Sequence, residues 1–334
     1  MTQIKTSPNF AVNAPVKVGI VGTGYAATKR AEAFQAEARA RLVAVSGHTP
    51  ESTQRFAEAR GALPVNAWEE LVKMPELDLV VICTVNRDHG AIARTALNSG
   101  KHVIVEYPLA LNLTEAEELV TLSQQQGKLL HVEHIELIGG LHQAMREVLP
   151  EIGPVFYARY ITVNAQRPVP QRWSYNHHLF GFPLSAALSR INRLIDLFGT
   201  VASVNGYSRF WNTTNDYYKA CLCQAQLQFT SGLRADVIYG KGETFWRKER
   251  TFEIHGEEGT LVFEGEKGTL IRGEEKTAIA VEPRRGLFTK DTAMVLDYLI
   301  EGTPLYIHPN ESVYALKVAD AARRSAELGQ VIQI

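Results

Sequence analysis

The chain has no long apolar run, little cysteine and almost no net charge, and each shortage removes a class of protein. Its longest apolar stretch, Leu79 to Val85, falls far short of the about 20 residues that cross a bilayer, so it reads as a buried strand. Met1 to Pro15 is polar and contains Ser7-Pro8-Asn9. Without an apolar centre it is not a secretion signal and reads as a flexible tail through residue 14. Lys and Arg number 35 against 36 Asp and Glu, so no overall field draws the chain to nucleic acid or to an anionic membrane. The three cysteines, Cys83, Cys221 and Cys223, form no C-x-x-C pair. That speaks against a disulfide framework and against zinc, and it fits a reducing cytoplasm. Cys221 and Cys223 flank Leu222 in a strand pattern and read as small buried hydrophobes. No internal repeat or low-complexity tract is present.

What is there fills 334 residues, enough for two domains. Up to residue 135, short apolar runs alternate with helical patterns, as a parallel sheet with crossover helices requires. Val16 to Val21, Arg41 to Ser46, Leu77 to Val85, His102 to Glu106 and Leu129 to His134 read as strands. Thr114 with Glu117 reads as the capping box of a helix running to Gly127. From residue 136 to 334 the rhythm changes to strands separated by glycine turns, Val155 to Val163 first among them. One helix, Pro183 to Leu197, interrupts them and another, Glu311 to Leu328, ends the chain. The expected fold class is α/β + α+β: an N-terminal Rossmann dinucleotide-binding domain and a C-terminal open antiparallel β-sheet domain.

Gly22-Thr23-Gly24-Tyr25-Ala26-Ala27 follows the first strand and opens a helix. Gly22 suits a tight turn, Gly24 lets backbone N–H groups approach a pyrophosphate, and Ala27 is small enough for close helix–sheet packing. The end of the second strand reads Ser46-Gly47-His48-Thr49, where an NAD-specific site would carry a carboxylate for the ribose hydroxyls. No carboxylate stands there to repel a 2′-phosphate, and Ser46, His48 and Thr49 are able to donate to one. This favours NADPH over NADH, with NADH still possible. Lys29, Arg30 and Arg55 either add charge at that point or sit as solvated helix residues.

Several segments together resemble the Gfo/Idh/MocA oxidoreductases over nearly the whole chain. They are the glycine fingerprint, Ile82-Cys83-Thr84-Val85-Asn86 with His89, Gly100-Lys101-His102-Val103-Ile104-Val105-Glu106-Tyr107-Pro108, and the sheet domain. The resemblance implies that Thr84, Val85, Asn86 and His89 line the cofactor, with Glu106 and Tyr107 beside the nicotinamide. Sugar and polyol dehydrogenases of the family read E-K-P and carry an Asp and a His four residues apart on the sheet-domain helix. This chain has Tyr107 in place of the lysine, and Ser185 and Ser189 at the other two positions. A serine without a neighbouring base does not deprotonate an alcohol.

E-Y-P is the pattern of the bilin-reducing branch of the family. Leu130 to Leu137, Val155 to Tyr160, Gln171-Arg172-Trp173, Gly181 to Leu184, Ala187 to Arg190, Tyr239 to Glu243 and Arg285 to Phe288 are similar to that branch, most of all to its cyanobacterial form. The resemblance implies reduction of the small-molecule substrate biliverdin IXα at its C10 methine bridge to bilirubin, with a proton passing to a pyrrole nitrogen. Another carbonyl or enone substrate, or a non-catalytic cofactor-binding regulator, would share the same cofactor residues. Arg190 reads either as the group that stabilises charge on the bilin and helps deliver the proton, or as a propionate anchor or an ion pair with Asp196 or another carboxylate. Tyr107 reads either as a stacking or donating group or as filler for the missing lysine. Arg193, three residues from Arg190, shares its helix face, and Arg172, Ser189 and His134 complete the candidate substrate set. Phe156, Ala158, Tyr160 and Thr162 alternate with Tyr157, Arg159 and Ile161, and the sequence does not say which set faces open space. The oligomeric state is not readable.

Overall fold

The computed structural model describes residues 12–334, and residues 1–11 of the expected tail lie outside the described residues. The chain divides into two compact units: residues up to Ile135 with Gly286–Val313, and Glu136–Arg285 with Tyr314–Ile334. The stretch 286–313, read from sequence as part of the second domain, therefore clusters with the first.

The first unit holds six strands: β1 (Val16–Val21), β2 (Ala40–Ser46), β3 (Leu63–Pro64), β4 (Leu79–Ile82), β5 (His102–Glu106) and β6 (Leu130–Glu133). They lie in the order β3-β2-β1-β4-β5-β6, all pairs parallel. Every residue of β4 is buried, which is why its sequence runs apolar without alternating. The order reverses direction between β1 and β4, and in such sheets ligands bind beyond the strand C-termini at that switch point. Along the helix Tyr25–Gln35 after β1, Ala27, Ala31 and Phe34 are buried at helical spacing. The helix expected to be capped by Thr114 begins at Leu113. Its cap is Asn112, whose side chain accepts from the Glu115 N–H at 3.1 Å. Asparagine caps at least as well as threonine, and Thr114 falls inside the first turn. The helix Leu287–Glu301, for which the sequence reading had no place, inserts Val295, Leu296 and Leu299 into the same core as Val16, Val18 and Phe34.

The second unit is built on nine strands: β7 (Val155–Ala165), β8 (Val201–Trp211), β9 (Ala220–Phe229), β10 (Arg234–Gly242), β11 (Glu249–Gly256), β12 (Gly259–Glu264), β13 (Lys267–Arg272), β14 (Glu275–Ile279) and β15 (Ile332–Gln333). Their order is β14-β13-β12-β11-β7-β10-β9-β8-β15. All pairs are antiparallel except β7 with β10, because the helical stretch after β7 carries the chain back to the same end. The single helix expected over 183–197 is two, Pro183–Ala186 and Ser189–Phe198. Ala187, at φ −107° and ψ 37°, leaves the helical region between them. Of the two sets of side chains on β7, Ala158 and Tyr160 are the buried ones. Among the described residues, no helix is long and apolar enough to cross a membrane.

Candidate active site

The candidate cofactor site is assembled at the C-terminal ends of β1, β2, β4 and β5. Gly22 sits at φ +123°, and a Cβ there would meet the Cys83 carbonyl oxygen at 2.2 Å. Its N–H donates to the Ser46 carbonyl at 2.7 Å, tying the turn to β2. A Cβ on Gly24 would meet nothing within 4 Å, and the helix that follows has no side-chain cap at its N-terminus. Free helix N–H groups beside an open glycine are the donor set a pyrophosphate uses, so the residues present fit a dinucleotide. Tyr25 is exposed at the mouth of this turn and packs edge-on against Phe288.

At the end of β2 the expected phosphate donors sort themselves. Ser46 is buried, and the Thr49 hydroxyl is taken as the N-cap of Pro50–Glu58, accepting from the Ser52 N–H at 3.2 Å. Gly47 is closed in by Thr23 and Thr53, so the exposed His48 is the side chain that stays available. Of the three nearby cations, Lys29 pairs with Glu32 at 2.7 Å and Arg55 lies 4.0 Å from Glu51 on an exposed face. Arg30 is neither a phosphate ligand nor a solvated helix residue. It is fully buried, donates from Nε to Glu106 at 3.0 Å and pairs through Nη1 with Asp291.

That ion pair is the centre of a network the sequence reading missed. Asp291 also accepts from the Tyr306 hydroxyl at 2.7 Å and from His131 Nε2 at 2.8 Å. Burial opposes charge on Asp291, but Arg30 and His131 outweigh it and hold the carboxyl well below its ordinary range. The result is a Glu106 whose carboxylate is fixed by a buried arginine that is itself fixed from behind. Tyr107 stacks on His134, with ring centroids 5.1 Å apart and planes 11° from parallel. His134 is buried, and its Nε2 lies 2.9 Å from the Ser312 hydroxyl. His89 is buried as a clip between loops. Its Nδ1 is 2.8 Å from the Pro108 carbonyl and its Nε2 3.3 Å from that of Thr84, and burial lowers its pKa. A neutral ring donates to only one of these carbonyls, and the shorter contact, to the residue after Tyr107, is the better placed for it.

The other candidate residues lie in the second unit. Arg190 is half-buried, donates from Nη1 to the Ser189 hydroxyl at 3.0 Å and lies over the Tyr239 ring at 5.4 Å. The Asp196 reading of Arg190 is set aside, because Asp196 is held by His142 at 2.5 Å and by Arg146 at 2.5 and 2.9 Å. Arg193 is buried, and it shares with Arg190 an electrostatic pull on the Tyr160 hydroxyl. Ser185 and Ser189 are both buried but stand on different helices. Arg172 is exposed on the approach to Trp173, which packs against Phe180 with centroids 5.6 Å apart.

Lys241 also escaped the sequence reading, although it lies in the quoted Tyr239-Gly240-Lys241 run. It is buried, bonds to the Ser174 carbonyl, and stands over the Phe180 ring at 3.7 Å. Burial pushes its pKa down to about 8. Period-2 alternation with Tyr239 was the available signal, since it puts both on one face. Cys221, opposite Lys241 in the β9–β10 register, and Cys223 are buried free thiols, as is Cys83.

Against solved structures, the fold matches the crystal structure of biliverdin reductase in complex with biliverdin and NADP+ from Synechocystis sp. PCC 6803. The TM-score is 0.92 at 55% identity, over 94% of this chain and 99% of that one. Among curated proteins, biliverdin reductase A of Mus musculus is 30% identical over 193 residues, 58% of this chain and 61% of that protein. The Homo sapiens protein is 33% identical over 193 residues, 58% of this chain and 60% of that protein. The aligned part thus spans about three fifths of the mammalian relatives. Residues 16–134 match the NAD-binding Rossmann fold of the Gfo/Idh/MocA oxidoreductase family, and residues 148–334 match that family's C-terminal alpha/beta domain. The chain belongs to the Gfo/Idh/MocA oxidoreductase family.

Proposed function

We propose that this protein is an NADPH-dependent reductase of biliverdin. Hydride adds at the C10 methine bridge and a proton goes to a pyrrole nitrogen, giving bilirubin. One observation carries the reading: 55% identity across nearly the full length of a structure that holds biliverdin and NADP+. The residues agree with it. Tyr107 replaces the alcohol-deprotonating lysine and is engaged face to face with His134, and Ser185 and Ser189 replace the other two proton-moving groups.

When bound, a reduced nicotinamide supplies the hydride. The chain's own part begins with the Gly22–Ala27 turn, whose helix N-terminus binds the pyrophosphate, and with His48 at the 2′-phosphate. Arg30 fixes the Glu106 carboxylate, and Tyr107 with His134 forms a flat wall beside it. Hydride arrival puts negative charge on the conjugated bilin, so the site needs a fixed cation near the pyrrole nitrogens. Arg190 has that role in this reading. A guanidinium stays charged and gives up its proton reluctantly, so Arg190 stabilises the charge and orients a water or hydroxyl that donates. A reducing cytoplasm is the setting that suits three buried free thiols.

The test is direct: purified protein is mixed with biliverdin and NADPH. Decay of the red absorbance band with growth of a blue-region band is expected. An unchanged spectrum rejects the reading.

A further inference from the structure

One face of the nine-stranded sheet gathers three arginines around a single tyrosine hydroxyl. On the Tyr157 face, charges are matched: Arg159 pairs with Glu253 at 2.7 Å, and the Tyr157 hydroxyl donates to Asp236 at 2.7 Å. The opposite face is different. Tyr160 stacks on Phe252 with centroids 4.7 Å apart, and Arg250 shares Phe252's side of β11 by alternation. Arg190 and Arg193 bear on the same hydroxyl from the helix Ser189–Phe198, and Arg250 hydrogen-bonds to it. Burial alone would raise the Tyr160 pKa, yet Arg193, Arg190 and Arg250 together lower it.

Arg193 is only 4% exposed, yet among the described residues no carboxylate lies within ion-pair distance of it. Its Nε and Nη1 atoms are buried without a hydrogen-bond partner, and so is Nε of Arg250. Glu136 attracts Arg193, but Arg250 and Arg284 oppose it. A buried guanidinium with empty donor positions is costly, and a ligand that fills them removes that cost. Forked guanidinium donors match the two oxygens of a carboxylate, and a phenol hydroxyl adds a further donor.

We propose that Arg193 and Arg250, with the Tyr160 hydroxyl they share, form a carboxylate-binding site in the second unit that takes an acid side chain of the substrate. The existence of the site stands on the buried, unbonded N–H positions of Arg193 and Arg250; the identity of the acid as a bilin propionate rests on the function proposed above. A free inorganic anion such as phosphate would meet the same donors, and the experiment separates the two.

Full-length protein without cofactor is titrated with biliverdin and with its dimethyl ester, in the presence and absence of inorganic phosphate. The diacid is expected to bind about tenfold or more tightly than the ester, in line with charged hydrogen bonds. Phosphate should weaken only the diacid, and Arg193→Met and Arg250→Met should each erase the preference. Arg193→Met should also melt no lower than the unsubstituted protein, because it removes a buried cation with no ion-pair partner among the described residues. Equal affinity for diacid and ester overturns the assignment, and a rise in melting temperature with phosphate alongside that equality marks an inorganic anion site instead. If Arg193→Met fails to fold, Arg193 is a structural cation and leaves the site. If neither bilin binds, succinate decides: a rise in melting temperature lost in both variants keeps the carboxylate site and removes the bilin, and no rise overturns the site.

Discussion

Arg190 and His48 are the two side chains whose individual chemistry the proposed reaction leans on. Arg190 is tied to Ser189 and lies over Tyr239 in the second unit, whereas the glycine turn is built from first-unit residues. Arg190→Ala is therefore expected to lower biliverdin turnover by more than about tenfold, or ~1.4 kcal/mol of barrier. NADPH affinity, followed by quenching of protein fluorescence, should stay within error. Unaltered turnover would take Arg190 out of the mechanism. His48 is the exposed residue at the end of β2, where Ser46 is buried and Thr49 is committed to its cap. A carboxylate placed there would repel a 2′-phosphate and accept from ribose hydroxyls. His48→Glu should raise the KM for NADPH by at least about tenfold while leaving or improving that for NADH. Parallel changes in both would move the 2′-phosphate elsewhere. Gly47 is a poorer place for this test, since its Cβ would stand 2.6 Å from the Thr23 side chain.

At the scale of elements, the legible parts were those with a local signature. β1 and β5 were readable to the residue, because apolar runs bounded by glycine turns mark buried parallel strands. The phosphate turn was readable because glycine at φ +123° has few substitutes. The Arg30–Asp291 pair was not: its partners are 261 positions apart, and a lone arginine on a helix looks solvated until its neighbours are known. The helix Leu287–Glu301 was missed because its partner surface lies on strands far upstream. Asp291 links these two failures and carries a test. Its carboxyl is held below its ordinary range, so the stabilisation is complete above the unfolded-state pKa of about 3.9 and is lost as pH falls through the lower folded value. Asp291→Asn leaves Arg30 charged, buried and short of its partner, a loss of about 3–5 kcal/mol. The melting temperature at neutral pH should drop, and the variant should lack the acid-side loss that Asp291 gives the unsubstituted protein. A variant as stable as its parent would mean the pair contributes little.

For the molecule as a whole, the division of the chain matters more than the count of domains. The first unit is completed only when residues 286–313 return to it after the second unit's main sheet has been made. Val295, Leu296 and Leu299 are each fully buried in its core. Burying three such side chains is worth about 1.5–3 kcal/mol apiece, so together they rival the about 5–15 kcal/mol that holds a typical domain folded. Asp291, Tyr306 and Ser312 come with the same stretch and bond to Arg30, the His134 N–H and the His134 ring respectively. A fragment ending at Ile135 therefore lacks both an apolar layer and Asp291, one of the two counter-charges of a buried arginine. It should be largely unfolded by near-ultraviolet circular dichroism and should not bind NADPH. Joining residues 286–313 to it through a flexible Gly/Ser linker should restore a cooperative melt and cofactor binding together. Cooperative folding of the shorter fragment would show that the first core closes without the returning helix, and that Glu106 alone is enough to compensate Arg30.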